Sequence, residues 1–204
     1  DRLDALINNA GAIFHRREVT EDGYERTWAL NHLAYFLLTT LLKDRLIASA
    51  PSRVINVASG AHRRGRMHWD DLNLERGFRT GWPAYCQSKM ANILFTRGLA
   101  AKLEGTGVKT YSLHPGFVAT SFMKNNGFFS KLLMAVTRPI QRGVSKGADT
   151  VVWLTTRTEQ PEDAGAYFMD RRERIPKAEA RDDANAARLW KLTAEMTQTE
   201  NAWS

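Results

Sequence analysis

Cysteine is nearly absent from this 204-residue chain: Cys86 stands alone. No internal disulfide can form, and no Cys/His spacing resembles a zinc site. A disulfide-stapled secreted scaffold is excluded, and a reducing compartment, the cytoplasm, is the expected location. No apolar run approaches the roughly 18 residues that a membrane span needs, and no charged-then-apolar signal segment opens the chain. No integral membrane segment is expected. Internal repeats and low-complexity tracts are lacking too. Acidic residues are the minority, 22 against 29 Lys plus Arg, which gives a net charge of +7. Such a balance favours an anionic partner: nucleic acid, a membrane surface or a phosphorylated cofactor. The basic residues are scattered, so nucleic acid is not expected. With 43% apolar residues, residues 1–204 suffice for one compact domain.

What is present alternates between two hydrophobic periods. Leu3 to Asn8 reads as a buried strand running into the turn Asn8-Asn9-Ala10-Gly11. A helix capped by Thr20 follows, with Tyr24, Trp28, Leu33, Leu37, Leu38, Leu41 and Leu42 at helical spacing, ending before Pro51. Arg53 to Ala58 is a second strand, ended by Ser59. Gly60 to Gly81 reads as a long polar loop. Pro83 to about Leu103 is helical, with Met90, Ile93, Leu94 and Leu99 facing a core, and Gly105 and Gly107 stop it. Val108 to Leu113 is a third strand. Gly116 to Gly143 suggests a partly helical lid; Val144 to Thr155 a helix, Ala166 to Met169 a short strand, and Asp182 to Met196 a terminal helix. This alternation implies an α/β fold, a Rossmann-like doubly wound parallel sheet with helices on both faces. Ligands of such sheets bind beyond the carboxyl ends of the strands, where Asn8 to Gly11, Ser59 and His114-Pro115-Gly116 all fall.

Tyr85 and Lys89 lie at i and i+4 of a helix and project from one face. A phenol near pKa ~10 is a poor acid or base at neutral pH, and a neighbouring cation favours its phenolate. Tyr85 is thereby expected to exchange a proton with a substrate oxygen. Taken alone, such a pair is common on surface helices. Here it is joined by Asn31 in the preceding helix, Ser59 at a strand end, and two bracketing turns.

The ordered set Asn8-Asn9-Ala10-Gly11, Asn31, Ser59, Tyr85 with Lys89, and Pro115-Gly116-Phe117-Val118-Ala119-Thr120 resembles the short-chain dehydrogenase/reductase family over nearly the whole chain. Thr20 to Phe36, Ala58 to Leu72 and Tyr85 to Ala100 look most like its retinol-dehydrogenase-like branch. The resemblance implies an oxidoreductase moving hydride between NAD(P)(H) and a small-molecule carbonyl or alcohol, with NADP favoured by the branch. It implies Tyr85 as general acid or base, Lys89 lowering its pKa and holding the nicotinamide ribose, and Ser59 on the substrate oxygen. Asn31 would support a water passing protons toward Lys89. Asn9, Ala10 and Gly11 would lie along the cofactor, with Pro115, Gly116, Val118 and Thr120 framing its nicotinamide end.

One family feature is missing from these residues. The glycine-rich Thr-Gly-x-x-x-Gly-x-Gly turn, which seats the pyrophosphate on a helix end, does not occur. The chain therefore reads as the C-terminal two-thirds of a family member, its sheet N-terminally truncated, with roughly 60 or more residues expected before Asp1. The rival class is a catalytically inactive relative serving as a binding or interaction module. The exposed edge at Leu3 would favour an oligomer. His32, His62, His68 and His114 are too dispersed for a metal, and Cys86 points about 100° away from Tyr85. Arg63-Arg64-Gly65-Arg66 and Arg171-Arg172-Glu173-Arg174 read as solvated surface. The aromatic and methionine residues from Phe117 to Met134 fit an apolar substrate pocket, a peripheral membrane contact or plain lid packing equally.

Overall fold

The computed structural model describes residues 1–116, 143–159 and 161–203. Its sheet runs in the order β1 (Ala5–Asn8), β2 (Ser52–Val57), β3 (Val108–Leu113), β4 (Tyr167–Met169) and β5 (Arg172–Glu173). The first four strands are parallel and β5 is antiparallel to β4. Central strands β2 and β3 are β-branched-rich and buried on both faces, as a parallel sheet covered on two sides requires. Val54 and Val108 pack with Leu6, Phe36, Phe95 and Leu99 on one side. Ile55, Val57, Tyr111 and Leu113 pack with Leu154 on the other. The expected two-sided arrangement is thus present, with α2 (Ala34–Ala48) and α3 (Gly81–Lys102) on one face and α4 (Val144–Thr156) on the opposite one.

The first helical segment departs from its sequence pattern. Glu25, not Thr20, caps α1 (Arg26–Trp28), its carboxylate accepting from the backbone N–H groups of Thr27 and Trp28 at 2.9 and 2.8 Å. Thr20 instead closes a turn over residues 20–24, bonding with Tyr24. Ala29–Leu33 then forms a π-turn before α2 begins. A π-turn holds an extra residue, so α2 is rotated relative to the register set by Trp28. Leu37, Leu38 and Leu41 face outward, 37, 45 and 71% exposed, while Tyr35, Phe36 and Leu46 are buried with Trp28 and His32 on the inner face.

The sequence also gave no sign of β5. Asp170 and Arg171 both adopt left-handed backbone angles, φ 54° and 58°, and close a two-residue hairpin from β4. The terminal helix α5 (Asp183–Thr197) is capped by the Asp182 carboxylate, which accepts from Asn185 N–H at 2.8 Å. It packs along α3. Enclosed by α5, the sheet and two short 3-10 segments, Gly60–Arg64 and Ala178–Arg181, α3 is buried from Ala84 through Thr96.

The amino end of α3 is seated by a close approach that only glycine allows. A Cβ at Gly81 would lie 1.9 Å from the carbonyl oxygen of Phe14, a backbone atom that cannot swing away. Gly81→Ala should cost roughly 1–3 kcal/mol of stability, the scale of core overpacking. Urea unfolding of the variant checks this; an unchanged midpoint would contradict the packing.

Candidate active site

The carboxyl ends of three parallel strands converge on α3. Beyond β1, Asn8 is buried, its Nδ2 donating to Asn56 Oδ1 of β2 at 2.8 Å and to Thr39 Oγ1 of α2 at 3.0 Å. The turn that follows carries Asn9 and Ala10 exposed and Gly11 half-buried. A Cβ on Gly11 would stand 3.2 Å from Asn31 Oδ1 and 3.3 Å from Lys89 Nζ. The turn therefore lies directly against two of the residues that the sequence singled out, and glycine is what lets it approach.

Asn31 sits in the π-turn and clamps the chain after Gly11 from both sides. Its Oδ1 accepts from Ala12 N–H and its Nδ2 donates to Ala12 C=O, each at 2.9 Å. The same Nδ2 lies 3.1 Å from Ser88 Oγ, and Ser88 Oγ donates to the Tyr85 carbonyl at 2.9 Å. The turn after β1, the π-turn and the Tyr85–Ser88 stretch of α3 are thereby one hydrogen-bonded unit. The Asn31 carbonyl accepts from Asn92 Nδ2 at 2.9 Å.

Ser59 is extended, φ −160°, and caps Gly60–Arg64 through its Oγ, which accepts from Ala61 N–H. It is hydrogen-bonded to Tyr85. His62 fixes the Ser59 backbone by donating from Nδ1 to its carbonyl at 2.7 Å, while Nε2 accepts from Lys177 N–H. Burial holds the His62 pKa below its ordinary value, so the ring stays neutral with this tautomer. His114, just past β3, packs against Gly60 at 3.1 Å from its would-be Cβ, so His114, Pro115 and half-buried Gly116 border the same site. Val118, Thr120 and the Phe117 to Met134 stretch lie outside the described residues. Among the described residues no cluster of His, Cys, Asp or Glu is arranged to hold a metal.

Lys89 is 3% exposed, and its Nζ donates to the Val57 carbonyl at 2.9 Å. It lies 5.8 Å from the Tyr85 ring centroid and 5.6 Å from that of Tyr35. Two residues that the sequence did not reveal complete this core. Asn92, one turn beyond Lys89, donates from Nδ2 to the same Val57 carbonyl at 3.3 Å. Its Oδ1 meets His32 Nδ1 at 3.3 Å, and His32 Nε2 meets Thr193 Oγ1 of α5 at 3.0 Å. Burial lowers the His32 pKa to about 4 against the raising effect of the Asn92 bond, so the ring is neutral; the Asn31 and Val57 carbonyls fix Asn92 Nδ2, which turns Oδ1 toward His32 and makes Nδ1 the protonated nitrogen. The i+3 spacing of Lys89 and Asn92 was the available signal; the His32 and Thr193 contacts span too much sequence to be read.

The electrostatics correct one expectation. Lys89 does not hold the Tyr85 pKa down here: burial pushes the phenol up to about 12, opposed by the Ser59 hydrogen bond. Burial likewise pushes the Lys89 amine down to about 7. Each group has lost water, and that loss is the largest cause of both shifts. Cys86 beside them is buried, its thiol pushed up to about 11, in keeping with a packing role.

A lysine amine depressed by burial opposes folding of its charged form. Between about 7 and 10.5 the unfolded chain binds a proton that the native chain does not, so stability rises with pH across that window. Lys89→Met should therefore stabilise the protein at pH 7 by on the order of a few kcal/mol, an advantage that vanishes above pH 10.5. Denaturant unfolding at the two pH values tests this, and a variant no more stable than wild type at pH 7 would refute it.

Residues 1–128 match the family model for short chain dehydrogenases. The chain is 40% identical over 195 residues to human retinol dehydrogenase 12, covering 96% of this chain and 61% of that protein. It thus spans about 61% of the length of this curated relative. Among solved structures, an uncharacterized protein from Mycobacterium paratuberculosis aligns at 31% identity and TM-score 0.77, covering 98% of this chain and 68% of that one. A blue fluorescent protein from a metagenomic library, in complex with NADPH, aligns at 31% identity and TM-score 0.55, over 81% and 62% of the two chains. With the Tyr85–Lys89 helix, Ser59 and the Asn8–Gly11 turn gathered at one sheet edge, the chain belongs to the short-chain dehydrogenase/reductase family, and to its retinol-dehydrogenase-like branch.

Proposed function

We propose that the protein carrying this chain is an oxidoreductase that transfers hydride between NAD(P)(H) and a carbonyl or alcohol carbon. The observation that carries the reading is the hydrogen-bonded pair Ser59 and Tyr85 with a buried lysine one helical turn away. The residues fit a nicotinamide cofactor. Lys89 has three N–H donors, of which the described residues engage one, and the glycine at position 11 keeps the adjoining space free of a side chain. Lys89 would hold the ribose hydroxyls, with the Asn9 to Gly11 turn and Pro115-Gly116 flanking it. When bound, the cofactor supplies the hydride.

The chain's own residues then handle the proton. In reduction, the Tyr85 hydroxyl hands its proton to the carbonyl oxygen, and Ser59 Oγ hydrogen-bonds that oxygen as negative charge builds on it. A phenol near 12 is a weak acid, so the phenolate left behind needs a cation. The Lys89 amine, with a pKa near 7, is available at neutral pH in both protonation states, able to stabilise the phenolate and to return a proton. In the oxidation direction the same groups work in reverse.

NADP is the preferred cofactor in this reading, supported by the NADPH-bound relative and the net charge of +7. The substrate is lipophilic, in line with the relatives named for retinol. The lone buried cysteine supports a cytoplasmic setting. Among the described residues no helix is long and apolar enough to cross a membrane.

Tyr85→Phe in the full-length protein should lower kcat by roughly 10²- to 10⁴-fold while leaving NADPH affinity intact. Steady-state kinetics beside a cofactor fluorescence titration measure both. Undiminished turnover would overturn the assignment.

A further inference from the structure

We propose that His62 is a positioning residue for the reaction, holding the Ser59 hydroxyl at the reacting oxygen and tying it to the chain at Lys177. The inference deepens the oxidoreductase reading above and rests on it. The Ser59 carbonyl accepts twice from one residue, from the His62 backbone N–H at 3.1 Å and from His62 Nδ1 at 2.7 Å. Both of its lone pairs are engaged, and the plane of that peptide is set. Within the same turn the Ser59 Oγ accepts from Ala61 N–H at 3.2 Å, and this hydroxyl is the one that pairs with Tyr85. A tilt of residues 59–62 therefore carries the hydroxyl away from the phenol.

A side chain bonded to the carbonyl three residues back is a common local cap and alone would mean nothing. This one is also held from outside its turn. His62 is fully buried, its ring T-shaped against that of Tyr167 in β4 with centroids 5.0 Å apart, and its Nε2 accepts from Lys177 N–H at 3.3 Å. Three further bonds clasp the same two segments: Arg63 Nη2 to the Ile175 carbonyl at 2.9 Å, Lys177 Nζ to the Gly65 carbonyl at 2.7 Å, and Met67 N–H to Glu179 Oε1 at 3.2 Å. Of these four contacts, the one through His62 reaches Ser59. The ring serves both partners as the neutral tautomer with its proton on Nδ1, since a proton on Nε2 would face another donor. A donor and an acceptor on opposite edges of one rigid ring thus refer the pose of the serine to β4 and residues 175–179, not to its own loop.

The test uses the full-length protein with NADPH and two aldehydes, retinal and decanal, beside NMR of tyrosine Cζ, the signals being assigned by their loss in Tyr85→Phe and Tyr111→Phe. An Asn side chain carries its amide near the place of Nδ1, a Gln side chain near that of Nε2. His62→Gln should therefore shift the Tyr85 signal and lower kcat roughly 10- to 100-fold with KM changed less than about twofold, the loss expected of a misplaced group. His62→Asn should keep the Tyr85 signal and most of kcat. The Tyr111 signal, from the opposite face of the sheet, reports that each variant is folded. A second pair leaves His62 untouched: relative to Lys177→Ala, Lys177→Pro removes the N–H that meets Nε2, at a φ of −55° that proline accepts, and should lower kcat roughly 3- to 10-fold. An unmoved Tyr85 signal in folded His62→Gln, equal kcat losses in the Asn and Gln variants, or equal kcat in the two Lys177 variants would overturn the proposal. A His62-dependent Tyr85 signal in a protein that reduces neither aldehyde would sink the oxidoreductase reading and leave the coupling standing. Reduction with no His62 dependence would do the opposite.

Discussion

A lysine amine buried with no carboxylate beside it among the described residues is costly to build, and the arrangement around it follows from that cost. Lys89 gives one hydrogen bond to the Val57 carbonyl at the end of β2 and otherwise faces the rings of Tyr35 and Tyr85. Loss of water brings its pKa near 7, close to where a group that both stabilises charge and passes protons is most useful. The same dry surroundings raise the Tyr85 phenol. An ion pair with a carboxylate would have steadied the lysine but fixed it as a cation. Leaving it unpaired trades stability for a charge that responds to what binds.

Such a site must hold its shape without the lysine's help. The polar residues packed beneath it do this by satisfying one another. Asn8 bonds to Asn56 across the β1–β2 pairing, Asn56 to Thr96 of α3, and Thr96 to the Asn92 carbonyl. Asn92 then fastens Asn31 and Val57, its Oδ1 accepting from a neutral His32 that reaches Thr193 on α5. Buried polar groups are costly when unpaired and rigid when fully paired. Through this chain of bonds, the terminal helix, far away in sequence, takes part in orienting the strand end on which Lys89 rests.

The π-turn at Ala29–Leu33 serves the same end. It presents the Asn31 side chain to both backbone groups of Ala12, locking the turn that lies against Lys89. The glycines at positions 11 and 81 are each placed by a close approach, Gly11 to the Asn31 and Lys89 side chains and Gly81 to the Phe14 carbonyl.

Strands β1 to β4, the helices of α3 through α5, and the pairing of Tyr85 with Lys89 were legible in the sequence because each is a short-range pattern: alternation, helical spacing, capping and glycine stops. Ser59 and the Asn8–Gly11 turn could be placed at one sheet edge because parallel topology sends all carboxyl ends to the same side. Tertiary structure decided the rest. The direction of the pKa shifts reversed for Tyr85 because burial, a property of the whole fold, outweighs one neighbouring charge. The Glu25 cap and the π-turn depend on which backbone conformation best joins β1 to α3. Asn92, His32 and Thr193 joined the site only when the π-turn, α3 and α5 came together, since contacts between residues so distant in sequence leave no periodic trace in it.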